Sequence, residues 1–450
     1  MAGGELARLK KEIEIIERKA REFGLDFFPM RFEICPADII YTFGAYGMPV
    51  RFSHWSFGKA FYNMKMQYDL NLSRIYELVI NSNPCYAFLL EGNSLIQQKL
   101  VIAHVYGHSD FFKNNSRFSR TSRDMIETMS INSNKIKEYG FRYGQEKVEN
   151  LLDAVLAIQE HIDPHYYIKG INSQEKKNKI TTPYDDLWEL DNVRKEEKEQ
   201  EKPSNTKKIP PQPEKDMLKF IMEHAPKLED WERDVIGIVR QEMFYFWPQI
   251  ETKIMNEGWA VYWHLKIMRE LPLNEDEAIE FAKMHAGIIL PSKFSLNPYF
   301  VGFKIYEDLA KKEGEEKIFE VRKLENDISF IRNYLTEDLI EELDLYLYEK
   351  QGQNWVVTEK KPEKIRQNIV SRLANFNFPY IVVEDGDYNQ NGELYLKHCY
   401  EDRELDIKYL EKTLPYVYKL WGKKVHLETV LDDKKVLFSY NGNTCSRSLI

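Results

Sequence analysis

The 450-residue chain is 43% hydrophobic and 30% charged and carries a net charge of −9. It is long enough for two or three domains with a sizeable core, and its acidity argues against a general nucleic-acid binder. No apolar run reaches about 18 residues, so no membrane span is expected; four scattered cysteines without CxxC spacing give no disulfide frame or cysteine metal site and fit a reduced, cytoplasmic setting.

The N-terminal stretch MAGGELARLKKEIEIIERKAREFGLDF reads as a charged amphipathic helix, with Leu6, Ile13, Ile16 and Ala20 at helical spacing, and not as a signal peptide. The aromatic stretch from Phe27 to Phe61 is broken by Pro36, Gly44, Gly47, Pro49 and Gly58, which predicts loops and short strands. IYELVINSNPCYAFLLE predicts two short strands around the turn at Asn83-Pro84. Three helices follow, over Asn93–Asn115, about Arg123–Glu138, and Gln145–Ile162.

Residues 169–215 are low in apolar content and rich in Lys, Glu and Pro. They cannot bury enough surface to offset the entropy of ordering, which predicts a charged flexible linker or insertion, with a solvated helix over Val193–Glu201 as the alternative. From Asp216 the helical pattern resumes through MLKFIMEHAP, a long run ending in NEGWAVYWHLKIMREL, Asp276 to His285, and FIRNYLTEDLIEELDLYLYEK. The last hundred residues alternate as strands around one helix, Ile407–Trp421, with turn signals at Asp385-Gly386 and Asn391-Gly392. The reading is an α+β chain: a helical region over 1–168, the linker over 169–215, a second helical region packing on the first over 216–350, and a small α+β domain with an antiparallel sheet over 351–450.

The chemistry concentrates on the first of the three helices after the strands. His104 and His108 are four residues apart and share a face with Leu100, Val101, Phe111 and Phe112, so two imidazoles converge at a buried point. Buried imidazoles need polar partners or a metal. The HExxH motif of zinc proteases has this spacing, with a glutamate after the first histidine as base; here that position is Val105. Glu257 is the best third ligand, because it sits beside Gly258 and close to Ala260, which let its helix approach another, and a packed glutamate needs a partner. Two histidines and a carboxylate suit Zn²⁺ with an open position or a non-haem Fe(II) triad. The competing reading has core histidines hydrogen-bonded to buried carboxylates. A hydrolytic base would come from Glu91, Asp110 or Glu242, although Asp110 falls on another helix face and Glu91 also suits a helix N-terminus. His54, His264 and His285 are further pocket candidates; His264 follows Glu257 on the same face about 10 Å along the axis, and His285 ends a helix. Arg51, Lys59 and Lys113 would offer positive charge to an anionic substrate.

The runs AYGMPVRFSHWSFGK, INSNPCYAFLLEGNS, QKLVIAHVYGHSDFFKNN, PQIETKIMNEGWAVYWH, LNPYFVGFKIYEDL and SFIRNYLTEDLIEELDL together resemble the stage V sporulation protein R (SpoVR) family, over roughly Arg31 to Leu431 apart from the linker. The resemblance picks out His54, Trp55, His104, His108, Asp110, Asn256, Glu257, Trp259 and His264 as motif positions, and it makes Val105 a family feature. Asn132 is a departure, where the family pattern leads one to expect a histidine. The resemblance implies a cytoplasmic protein with a role in forming the spore cortex, a peptidoglycan layer, and partners in a serine protein kinase and a von Willebrand factor A-like protein. Two functions are therefore expected. One is a metal-dependent hydrolase or transferase acting on peptidoglycan precursors or a peptide. The other is a non-catalytic, zincin-like scaffold or regulatory protein, which the missing glutamate favours.

Overall fold

A computed structural model of the chain describes residues 3–69, 77–165, 208–291, 295–351 and 354–450. In chain order the first elements are α1 (Gly3–Glu22), β1 (Met30–Cys35), α2 (Ala37–Tyr46), α3 (Trp55–Asp69), β2 (Glu77–Ile80), β3 (Cys85–Leu90), α4 (Leu95–Asn114), α5 (Met125–Tyr143) and α6 (Gln145–Leu156). Then come α7 (Met217–His224), α8 (Asp230–Glu251), α9 (Lys253–Arg269), α10 (Glu275–Ile288), α11 (Pro298–Glu313), α12 (Glu315–Leu324), α13 (Asp327–Tyr334) and α14 (Glu337–Glu342). The chain closes with β4 (Leu347–Gln351), β5 (Asn354–Glu359), α15 (Pro362–Leu373), β6 (Ile381–Tyr388), β7 (Glu393–His398), α16 (Ile407–Trp421), β8 (Val425–Leu431), β9 (Lys434–Tyr440) and β10 (Cys445–Leu449). The fold is α+β and mainly helical, as the sequence predicts.

The chain forms two compact units, each assembled from separated stretches: residues 1–148 with 245–378, and 149–244 with 379–450. The consecutive division read from sequence gives way to interleaved units, and the change of unit falls inside α8. Most of the expected linker, 169–207, lies outside the described residues. Its end, 208–215, is described, and Glu214 there bridges to Val383 of β6 through backbone hydrogen bonds of 3.0 and 2.7 Å.

In the first unit α4 is the central element. Its start is fixed by a capping box: Ser94 Oγ accepts from the Gln97 amide, and Gln97 Oε1 accepts from the Ser94 amide at 2.9 Å. Every residue from Gln98 to Phe112 is buried, the pattern of a helix enclosed on all sides. Two close crossings position α9. A Cβ on Gly107 of α4 would lie 2.8 Å from Ala260 Cα, and a Cβ on Gly258 would overlap Gly302 of α11 and lie 2.6 Å from the Phe303 amide nitrogen. Only glycine lets these backbones meet, so α9 is clamped between α4 and α11. A three-stranded sheet of order β1-β3-β2, parallel between β1 and β3 and antiparallel between β3 and β2, precedes α4.

The Phe27–Phe61 stretch departs from expectation: β1 is a strand, but α2 and α3 are helices. Pro36 stands at the N-cap of α2, and Gly47 ends that helix in the left-handed conformation, with φ 74°. The proline and this glycine mark helix ends, which sequence punctuation alone does not distinguish from loops. The run after Ile328 is also not helical throughout. Helix α14 stops before Asp344, which has φ 49°, and β4 follows, paired with β5.

The second unit carries a five-stranded sheet of order β10-β9-β8-β7-β6. The sheet is mixed, not wholly antiparallel, because β7 and β8 pair in parallel. They are joined through α16, and a parallel pair requires such a crossover. Asn391-Gly392 lies in the β6–β7 turn, but Asp385-Gly386 lies inside β6, at a bulge. Gly386 serves close packing there: a Cβ would stand 2.7 Å from the Phe220 ring. Among the described residues no helix is long and apolar enough to cross a membrane.

Candidate metal centre

The long helical run predicted before Glu257 breaks at Thr252, and α9 starts anew. The buried Asp327 caps that start, its two carboxylate oxygens accepting from the Ile254 and Met255 amides at 2.8 and 2.9 Å. The first turns of α9 therefore point Asn256 and Glu257 at α4 from a fixed origin.

His104, His108 and Glu257 converge, with one ligand atom from each lying within 4.8 Å of the others. Glu257 Oε2 stands 3.4 Å from His108 Nε2 and 3.8 Å from His104 Nε2. The two rings are perpendicular, with centroids 4.6 Å apart. Both histidines are buried, and Glu257 Oε2 is a buried oxygen with no hydrogen-bond partner. An orphaned carboxylate oxygen facing two ring nitrogens costs free energy unless a proton or cation lies between them.

The far side of each ring is held. His108 Nδ1 donates to Asn256 Oδ1 at 2.9 Å, and an amide oxygen only accepts, so neutral His108 turns its Nε2 lone pair towards Glu257. His104 Nδ1 meets His264 Nδ1 at 2.9 Å, and His264 Nε2 meets His285 Nδ1 at 3.0 Å. Protonation states follow from the surroundings. Burial lowers His104, and it lowers His264 well below the ordinary histidine value. Burial alone would raise Glu257, but the adjacent His104 and His108 outweigh it and hold the carboxyl well below its usual range. Metal ligation requires neutral imidazoles and an ionised carboxylate, so a cation there would displace any proton shared between the histidines and Glu257.

The other predicted positions divide. Asn256, His264 and His285 join the cluster's surroundings. Asp110 does not face it as a free base: its Oδ2 accepts from Trp259 Nε1 at 2.8 Å, its Oδ1 accepts from the Asp26 amide at 2.8 Å, and Arg322 lies 3.5 Å away. Burial pushes the Asp110 carboxyl up to about 6 against these contacts. Asp110 and Trp259 therefore tie α4, α9 and α12 together. Glu91 is exposed in the turn before α4. Glu242 is buried on the part of α8 that belongs to the second unit. His54 pairs through Nδ1 with Ser56 Oγ at 2.7 Å at the start of α3, and Trp55 is 59% exposed; neither belongs to the cluster.

Sequence reasoning missed the direct contact of His264 with His104, the link onward to His285, and the cap from Asp327. A signal for the first existed. Glu257, Ala260 and His264 form an i, i+3, i+7 stripe, which faces a matching stripe of His104, Gly107 and Phe111 on α4.

The two units define a mainly helical α+β chain with a buried His–His–Glu cluster in one unit and a mixed sheet in the other. A family model described as SpoVR like protein matches residues 4–378, and one described as SpoVR-like C-terminal domain matches 379–432, so the chain belongs to the SpoVR family. That membership suggests a sporulation-related role. The break between the two matches coincides with the change of unit at Phe378 and Pro379. The chain is 30% identical over 471 residues to a protein of Escherichia coli (strain K12) described as uncharacterized protein YcgB, covering 94% of this chain and 91% of that one. No solved structure matches.

Proposed function

We propose that the chain is a zinc-binding, hydrolase-like protein of spore cortex formation, with His104, His108 and Glu257 as the ligands. The observation that carries the reading is the pair of separations at Glu257 Oε2, 3.4 and 3.8 Å. Ligands at 2.0–2.2 Å on a tetrahedral ion stand about 3.4 Å apart. The donor set of two imidazoles and one carboxylate suits Zn²⁺ with an open position. Zinc held there would polarise an acyl or phosphoryl oxygen and acidify water. The residues around it have separate tasks: Asn256 orients His108, Asp327 fixes the origin of α9, and the carboxylate balances cation charge. A cytoplasmic setting, and work alongside a serine protein kinase and a von Willebrand factor A-like protein, follow from the family resemblance.

One observation favours a second reading, a non-catalytic zincin-like scaffold. Val105, fully buried, stands where HExxH proteases carry their base, and Asp110 is spent on Trp259 and Asp26. Metal analysis of the purified chain, with melting curves in chelator, tests the metal. The proposal expects about one zinc per chain and a lower melting temperature in chelator; metal-free protein whose melting is unaffected by zinc or chelator would overturn it. Spore cortex formation in a strain carrying His104→Ala with Glu257→Gln separates the readings of the site. Normal cortex from a folded double variant would remove any need for site chemistry.

A further inference from the structure

The second unit holds a cavity of about 540 Å³, within the range of about 300–1,000 Å³ found for small-molecule sites. Along β7 the buried Leu394 and Leu396 alternate with Tyr395 and Lys397, which line the cavity. The period of two gives the strand an apolar face and a cavity face. Glu428 of β8, in register with Lys397, lines it too. Strand β6 departs from the alternation. Glu384 and Asp385 are consecutive, yet both line the cavity, because the ladder slips between Val383 and Asp385 and again before Tyr388. Bulges of this kind re-aim side chains beside sites. In the turn that follows, Asn389 and Gln390 both hold left-handed backbone, with φ 59° and 56°. Glycine adopts that conformation freely and glutamine does not, so side chains reach the cavity at some local cost.

The lining decides what the cavity takes. Lys208 pairs with Glu384 at 2.8 Å, and Glu428 Oε2 accepts from the Tyr395 hydroxyl at 2.6 Å. Asp385 Oδ1 accepts from the Asp387 amide at 2.9 Å and from the Ile209 amide at 3.4 Å, while Asp387 Oδ1 accepts from the Gly392 amide at 2.7 Å. Each carboxylate is thus offset through one oxygen and keeps the other as an acceptor. Donors are free as well: among the described residues the Lys397 ammonium and the Tyr388 hydroxyl make no hydrogen bond or ion pair. The carboxylates repel an anion, and the two lysines repel a cation at the same walls. A neutral ligand rich in hydroxyls remains, since each hydroxyl both donates and accepts. Tyr388 and Tyr395, with ring centroids 4.5 Å apart, add apolar area for the carbon face of such a ligand. We infer that the cavity is a binding site for a neutral sugar, as a short oligosaccharide. Every residue of the lining belongs to the second unit, so the inference is independent of the metal reading.

The test screens the full chain on an array of neutral oligosaccharides, with spermidine as a cationic comparison, and titrates the strongest binder by calorimetry. Binding of at least one sugar is expected. Tyr388→Ala should weaken it roughly tenfold or more, through loss of an aromatic face. Lys397→Met should weaken it roughly 10–100-fold, through loss of a charged donor, and it keeps the side-chain stem, so it carries the test should Tyr388→Ala fail to fold. No sugar bound across the array overturns the inference, and so does binding unaltered in both variants. Binding of spermidine in place of any sugar also overturns it and makes the cavity a cation site.

Discussion

Replacing Gly258 by alanine tests how α9 is held. The added Cβ would overlap the Gly302 backbone and lie 2.6 Å from the Phe303 amide nitrogen, whereas ordinary contact begins at 3.4 Å. Relief therefore needs a shift of more than about 1 Å, set by the overlapping Gly302 backbone, and backbone cannot swing aside as a side chain can. The other side of α9 offers no slack, because Gly107 already sits against Ala260. Overpacking of this kind costs about 3 kcal/mol, at the upper end of the usual range. Alanine's better helix propensity returns about 1 kcal/mol. The net loss of about 2 kcal/mol corresponds to a melting temperature roughly 3 °C lower in a unit of this size. Gly58→Ala is the control, since nothing lies within 4 Å of a Cβ there, and it should be neutral or stabilising by up to about 1 kcal/mol. Urea denaturation followed by circular dichroism reads both. A Gly258→Ala chain as stable as the unaltered one would refute the clamped crossing.

Three further outcomes follow from the same geometry. Asn256→Ala should weaken zinc binding about 10–100-fold in competition with a coloured chelator, because His108 loses the acceptor that fixes its tautomer; unchanged affinity would count against that role. Asp327→Ala leaves two buried amides of α9 unpaired and should cost about 1–3 kcal/mol in denaturant melts, and a negligible loss would show that α9 is held otherwise. Acid should also act against the buried histidines of the metal-free chain: burial lowers His104, His264 and His285, and a histidine depressed in the folded state contributes fully above its unfolded value near 6.5 and less as pH falls. The Asp110 and Asp327 carboxyls, pushed up by burial to about 6 and about 8, act with the opposite sign, so the quantity to read is the difference between the unaltered chain and His264→Phe. The fall in melting temperature from about pH 7.5 to about pH 5.5 should be larger in the unaltered chain, and equal falls would contradict the assignment.

Local chemistry made much of this legible. Helices α1, α4 and α16 are legible in the sequence pattern. The convergence of Glu257 on the two histidines was legible because Gly258 and Ala260 beside it promised a close helix crossing. What sequence could not supply was long-range pairing. The contact of His104 with His264 joins residues 160 apart, and the parallel pairing of β7 with β8 depends on where α16 returns the chain. Asp110 falls on a different helix face from the histidines, as its spacing predicts, but its partners Trp259 and Arg322 lie on other helices, which spacing cannot supply. Helices α2 and α3 fall where the sequence predicts loops and short strands, because Pro36 and Gly47 signal ends without saying of what.

The most direct test of the metal centre is anomalous scattering at the zinc edge from crystals of the zinc-loaded chain. The expected result is one ion about 2.0–2.2 Å from His104 Nε2, His108 Nε2 and a Glu257 oxygen. Zinc found only at other residues, with the cluster still joined at 3.4 and 3.8 Å across its nitrogen–oxygen gaps, would contradict the assignment and leave the histidines as a buried polar network.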